Sequence, residues 1–248
     1  MQKVTEPHPY DLFATLFEYP ERDFPAQVRQ IGKTLGGRYD GALTSLERFS
    51  EMLPSSGAEL EGEALEEARE LFMRSFDVQA TTTLDIGYVM FGDDYKRGEL
   101  LVNLAREMRA VDVDCGSELA DHLPNILRLL ARWEDREIAT EFVTEILHPV
   151  LRKMIGEFGV ERMKQRDGLY KKHYKTLIES STSRATLYEH GFVALLNVLT
   201  EDFDLEEPVV PKETCDFLGS IGRELEIEAK GAGEKPAGKQ VSGGRTPC

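Results

Sequence analysis

The chain has 248 residues, 41% of them hydrophobic and 30% charged, and its 45 acids against 30 bases give a formal net charge of −15. One sizeable helical domain with a tail is the simplest organisation for that length. So acidic a surface argues against nucleic acid and against an anionic membrane, both of which are gripped by Lys and Arg; it suits a basic partner or simple solubility.

Apolar residues recur at helical spacing almost throughout. Leu12, Phe13, Leu16 and Phe17 make a first stripe that Pro20 stops. Phe24, Val28, Ile31 and Leu35 make a second, closed by Gly36 and Gly37, residues suited to a helix C-terminus. A third follows at Leu43, Leu46, Phe49 and Leu53, and a fourth at Leu65, Ala68, Leu71 and Phe72. Each needs a neighbour to cover it, which predicts an all-α, single-domain helical bundle. Between Phe76 and Phe91 the pattern breaks in FDVQATTTLDIGYVMF, whose threonines, β-branched residues and glycine are poor in a helix interior. A packed irregular segment is expected there, since no second strand-like run is present to pair with it.

Helical spacing resumes at Leu100, Leu101, Leu104 and Met108, and again at Ile126, Leu127, Leu130 and Trp133. A longer stripe runs through Ile138, Phe142, Ile146, Val150, Met154 and Phe158, with Pro149 inside it to kink or split the helix. Further stripes fall at Tyr170, Tyr174, Leu177 and Ile178, at Leu195, Leu196 and Leu199, and around Phe217, Ile221 and Leu225. From Lys230 the sequence KGAGEKPAGKQVSGGRTPC lacks large apolar residues and reads as a disordered tail, so the domain is expected over 1–229 and the tail over 230–248. The start shows no secretory signal, no window holds the apolar run of a spanning helix, and Cys115, Cys215 and Cys248 form no CxxC pair. A cytosolic protein is expected. Asp112 and Asp114 beside Cys115 disfavour a thiolate, so this cysteine is a poor nucleophile.

The segment SELADHLP, residues 117–124, admits three readings: Asp121 beside His122 as a catalytic pair, a metal site, or the entry to a helix. Glu118, Asp121 and His122 on one shared helix would offer carboxylates and an imidazole to zinc or iron. Pro124, however, belongs in a first helical turn, so the helix carrying Ile126 is expected to begin near 121–124, leaving Glu118 outside and Asp121 as a carboxylate cap. Glu145 and His148 form a single Glu-x-x-His pair, without the second copy that a di-iron bundle uses. There is no Gly-rich phosphate loop, GxSxG or HExxH. A binding protein with a groove between helices is therefore expected rather than an enzyme, with no catalytic residue, metal or cofactor; a helical enzyme built on His122, Glu145 and His148 is the rival. In FGDDYKRGELL, residues 91–101, Asp93 and Asp94 can cap a helix whose early exposed positions hold Lys96, Arg97 and Glu99, beside the amphipathic Tyr95.

Three segments, in order and at matching spacing, resemble the NarJ branch of the NarJ/TorD family of molybdoenzyme assembly chaperones. They are LFMRSFD with Phe72, Phe76 and Asp77, GDDYKRG from Gly92 to Gly98, and ELADHLP from Glu118 to Pro124; RDGLYKKHYKTLI at 166–178 is a weaker echo. The resemblance covers roughly residues 10–180, with 181–229 as a helical extension. It implies a NarJ/TorD-type helical fold and a cytosolic chaperone without bound cofactor. Its partner would be the apo catalytic subunit of a nitrate-reductase-type molybdoenzyme, gripped by its N-terminal segment until the molybdenum cofactor is inserted. Phe72, Phe76, Asp77, Tyr88, Tyr95, Arg97, Asp121, His122 and Pro124 are the residues expected to meet that client. A helical adaptor with a different partner is the alternative.

Overall fold

Pro9 opens the first helix, where its missing N–H would have no partner in any case, and His8 caps it by accepting the Tyr10 N–H at 3.3 Å. The computed structural model describes residues 7–174 and 184–205. The stripes of the sequence become α1 (Pro9–Leu16), α2 (Phe24–Leu35), α3 (Asp40–Glu51) and α4 (Gly62–Phe76). The Phe217 stripe, Leu177, Ile178 and the tail lie outside the described residues. At the end of α2, Gly36 takes φ 58°, which a side chain would strain.

After α4 the chain runs irregularly through the threonines, with Thr81, Thr82 and Leu84 buried. The expected irregular segment ends sooner than its composition suggests, because Ile86–Phe91 forms a short helix, α5, closed by Gly92. Burial of Ile86 and Val89 overrides their modest helix propensity. Helix α6 (Tyr95–Ala110) starts as expected at Asp94, whose carboxylate accepts the Lys96 N–H at 2.9 Å. Helix α7 (Leu123–Leu130) carries Pro124 in its first turn.

Helices α8 (Arg136–Phe142) and α9 (His148–Glu157) are joined by one π turn over Val143–Leu147. Pro149 cannot donate to the preceding turn, and the widened loop, with the His148 N–H reaching Val143, takes up the defect. The stripe is re-spaced rather than cut. His148 is buried there, and desolvation with the nearby Arg152 lowers its pKa.

Helix α10 (Val160–Tyr174) and α11 (Leu187–Phe203) follow. The described residues form one all-α apolar core, without a strand among them. Its centre is α11, which packs on α3, α9 and α4, while α1 lies against α7 and α2. This helix sits inside the stretch read from sequence as an extension, yet Tyr188, Phe192, Leu195, Val198 and Leu199 are fully buried. Gly191 lets α3 and α1 come close: a Cβ there would sit 3.1 Å from Leu16 and 3.4 Å from the Phe49 ring. At its far end Asp202 accepts hydrogen bonds from Tyr10 (2.7 Å), Tyr39 (2.6 Å) and Arg38 (2.8 Å), tying α11 to α1 and the start of α3. Burial and the Asp202 carboxylate push the Tyr39 hydroxyl up to about 12.

No helix among the described residues is long and apolar enough to cross a membrane.

Candidate binding groove

Two irregular segments meet beside α4. The chain before α5 and the chain before α7 form a one-residue antiparallel bridge between Asp85 and His122. Ile86 N–H donates to Asp121 C=O at 3.0 Å, and Leu123 N–H to Leu84 C=O at 2.9 Å. These bonds flank the bridge, so Asp85 and His122 face one another as a non-hydrogen-bonded pair, the arrangement that brings opposed side chains closest. Their side chains meet: His122 Nδ1 lies 3.1 Å from Asp85 Oδ1. The imidazole is thereby oriented, with Nε2 left clear of Asp85.

Arg97, from α6, clamps the same junction. Its Nε donates to Asp121 Oδ2 at 2.8 Å, and its terminal nitrogen to Asp85 Oδ2 at 2.9 Å and Asp121 Oδ1 at 3.4 Å. Asp121 is 0% exposed and Arg97 17%. Asp121 can enter only because residue 87 is glycine: a Cβ there would lie 2.5 Å from Asp121 Oδ2. The Arg97 guanidinium also lies 5.4 Å from the Tyr88 ring centre. Burial on its own would raise the Asp85 pKa. The hydrogen bond and charge of His122, with Arg97 behind them, outweigh it and hold the carboxyl below its ordinary value.

The sign of that shift gives a test. A carboxyl with a depressed folded-state pKa contributes stability that is complete above its unfolded value, near pH 4, and is lost as pH falls through the folded value. Asp85→Asn is expected to lower stability near neutral pH and to flatten its decline below about pH 4. Urea unfolding across that range measures both, and parallel curves for the two proteins would refute the ion-pair role.

Beside this clamp opens a groove of about 910 Å³. Phe17, Phe72, Phe76 and Leu84 give it an apolar floor, and Glu18, Asp77, Asp85, Asp114 and Glu118 put five carboxylates around it against Arg128 and His122. Glu18 is engaged by Arg128 and Asp85 by the clamp, whereas Glu118 is 57% exposed and only 4.0 Å from His122 Nδ1 at its nearest. The floor is rigid: the Phe72, Phe76 and Tyr188 rings pack edge to face, with Phe192 beneath Phe17 and Phe76. Asn125, buried in α7, steadies the loop above by donating to the Leu119 carbonyl at 3.0 Å. The Cys115 thiol points at Met108 Sδ, 3.3 Å away, and burial followed by Asp114 raises its pKa, in keeping with an unreactive thiol.

Of the residues expected to meet a client, Phe72, Phe76, Asp77, His122 and Pro124 line this groove. Asp121 and Arg97 do not: they are held against each other in the clamp, and Asp121 has no surface to offer. Nor is Asp121 a side-chain cap, since the cap residue of α7 is His122 and its side chain makes no capping bond. Arg97 was expected at an exposed position, and the two carboxylates have drawn it inward. Tyr88 lies on the clamp, and Tyr95, 73% exposed, stands on another surface with Gly98 and Val102. Asp85 and Asn125 escaped the sequence reading because their roles come from partners far along the chain; the one available signal for Asp85 was an acid in an irregular, apolar stretch.

Glu145 and His148 stand in the π turn and at its end, and among the described residues no group of three His, Cys, Asp or Glu side chains could hold a metal ion. The chain matches no family model, no curated protein and no solved structure among those compared with it.

Proposed function

We propose that the chain is an assembly chaperone that holds an immature molybdoenzyme catalytic subunit through a cationic, amphipathic segment of that client. One observation carries this reading: two of the three segments on which the resemblance to NarJ-type chaperones rests line one groove with an aromatic floor and an acidic rim, and the third supplies the arginine of the clamp beside it. LFMRSFD supplies Phe72, Phe76 and Asp77, ELADHLP supplies Glu118, His122 and Pro124, and the Arg97 of GDDYKRG secures the junction beneath them.

A client helix lays residues at i, i+3 or i+4 and i+7 on the phenylalanines, and its Lys or Arg residues meet Asp77, Asp114 and Glu118. Rim charges chiefly speed encounter and set salt dependence, while the apolar floor sets how long the client stays. Release on maturation needs a moderate affinity, which a shallow groove with an exposed rim provides.

The test is a pull-down from the native host under anaerobic growth, with the partners identified by mass spectrometry. Alongside it runs an Asp77→Lys/Glu118→Lys protein, which reverses charge on the rim and leaves the core alone. Capture of an immature molybdopterin-binding subunit by the wild type, reduced at least about tenfold in the variant, is the expected result. Equal capture by both proteins would remove the groove from the reading, and capture of no such subunit would remove the chaperone.

A further inference from the structure

Residues 230–248 differ in charge from the residues that directly follow α11: Lys230, Lys235, Lys239 and Arg245 stand against the single acid Glu234, in a protein whose net charge is −15. We infer that this basic segment is an intramolecular occupant of the acidic groove, a placeholder that a client must displace. The inference rests on the groove being the binding site, as proposed above.

Charge complementarity chooses this occupant. The rim gathers Asp77, Asp114 and Glu118. Next to it, sharing Tyr19, a second trough along α4 gathers Glu63, Glu66, Glu67 and Glu70 against Arg69 and Arg74. The intervening residues 206–229 carry seven acids and two bases, so these surfaces repel them and leave 230–248 as the matching stretch.

Distance permits it. The end of α11 lies at Tyr10 and Tyr39 through Asp202, whereas Tyr188, at its start, packs on the groove residues Phe72 and Phe76. The 17 residues of α11 span about 25 Å, which is the distance a segment leaving its end must return. The 24 residues of 206–229 can reach about 80 Å when fully extended, well beyond that distance. A tether that can span the distance makes docking intramolecular, with an effective concentration set by its length and stiffness.

Composition sets the strength. With Val241 as its largest aliphatic side chain, the segment satisfies the rim and leaves the phenylalanine floor uncovered. A client with both basic and large apolar residues therefore displaces it, while a merely cationic peptide competes poorly. The segment would thus select for amphipathic clients and shield the carboxylates from adventitious cations.

Zero-length carbodiimide cross-linking of the full chain at low ionic strength tests this without any client. Intramolecular links from Lys230, Lys235 or Lys239 to Asp77, Asp114, Glu118 or the α4 glutamates are expected, and they should fade as salt is raised. Links spread evenly over acids elsewhere, such as Glu134, Glu137 and Glu141, or links only between molecules, would overturn it. The full-length Lys230→Gln/Lys235→Gln/Lys239→Gln/Arg245→Gln protein should bind a synthetic helix with leucines on one face and lysines on the other about fivefold more tightly than wild type. Unchanged affinity would also overturn it. If the peptide binds neither protein, the client reading fails, and the cross-links alone decide whether the segment docks.

Discussion

Arg97→Ala is expected to destabilise the protein by about 3–5 kcal/mol, because it strands the fully buried Asp121 carboxylate without a counter-charge. Asp85 would lose the same guanidinium, but it keeps His122 and partial access to water, so most of the penalty falls on Asp121. For a protein of this size the loss corresponds to a fall in Tm of roughly 6–20 °C. Urea unfolding measures it directly. The companion protein, Arg97→Met/Asp121→Asn, removes both charges and should regain part of the loss, since a desolvated pair is costly mainly when half of it is taken away. A loss below about 1 kcal/mol for Arg97→Ala would mean that water reaches the clamp. Because the clamp underlies the groove, variants of Asp121 disturb folding as well as the site, and rim substitutions are the cleaner probe of binding.

The second large effect is expected from Phe192→Ala. Phe192 is fully buried in α11, stacked on Phe17 with ring centres 4.8 Å apart, and in edge contact with Phe76 at 5.9 Å. Emptying that volume costs about 3–5 kcal/mol, and the lost ring pairs add to what a simple transfer term gives. Phe17 and Phe76 are also two of the floor residues of the groove. The substitution should therefore weaken capture of an amphipathic ligand even at temperatures where the protein stays folded. Asp77→Lys/Glu118→Lys should do the reverse, keeping stability while losing capture. Thermal unfolding read beside peptide binding separates the two, and a Phe192→Ala protein with unaltered binding would show that the floor does not depend on α11.

How much of this was legible beforehand divides along sequence distance. Helices with strong periodicity, the Gly36 stop, the Asp94 cap and the Pro124 start were readable because each depends on neighbours within a turn or two. The all-α class followed from the same local signals. Helix α5 was missed because its formation depends on burying Ile86 and Val89 against distant partners. The central place of α11 was missed because an apolar stripe shows that a helix is covered without showing by what. At the site, Phe72, Phe76, Asp77, His122 and Pro124, expected to meet a client, line the groove, whereas the inward turn of Arg97 and Asp121 was not legible. An arginine early in a helix and an acid before one both have ordinary local uses, and only the meeting of α6 with two loops gives them another.

The bridge between Asp85 and His122 has a kinetic corollary. It joins residues 37 apart in the chain, and its two amides, Ile86 and Leu123, are donated with the whole of α6 enclosed between them. Closing that loop costs chain entropy that the packing of the surrounding helices must offset, so these bonds depend on the assembled core. Solvent hydrogen can reach the two amides only if the segments part, which also dismantles the junction beside the groove. Their deuterium uptake is thus a clock for the readiness of the site. A ligand seated against both segments should slow it at these two positions, while the amides of an exposed helix start away from the junction, such as the first turn of α8, keep their own pace.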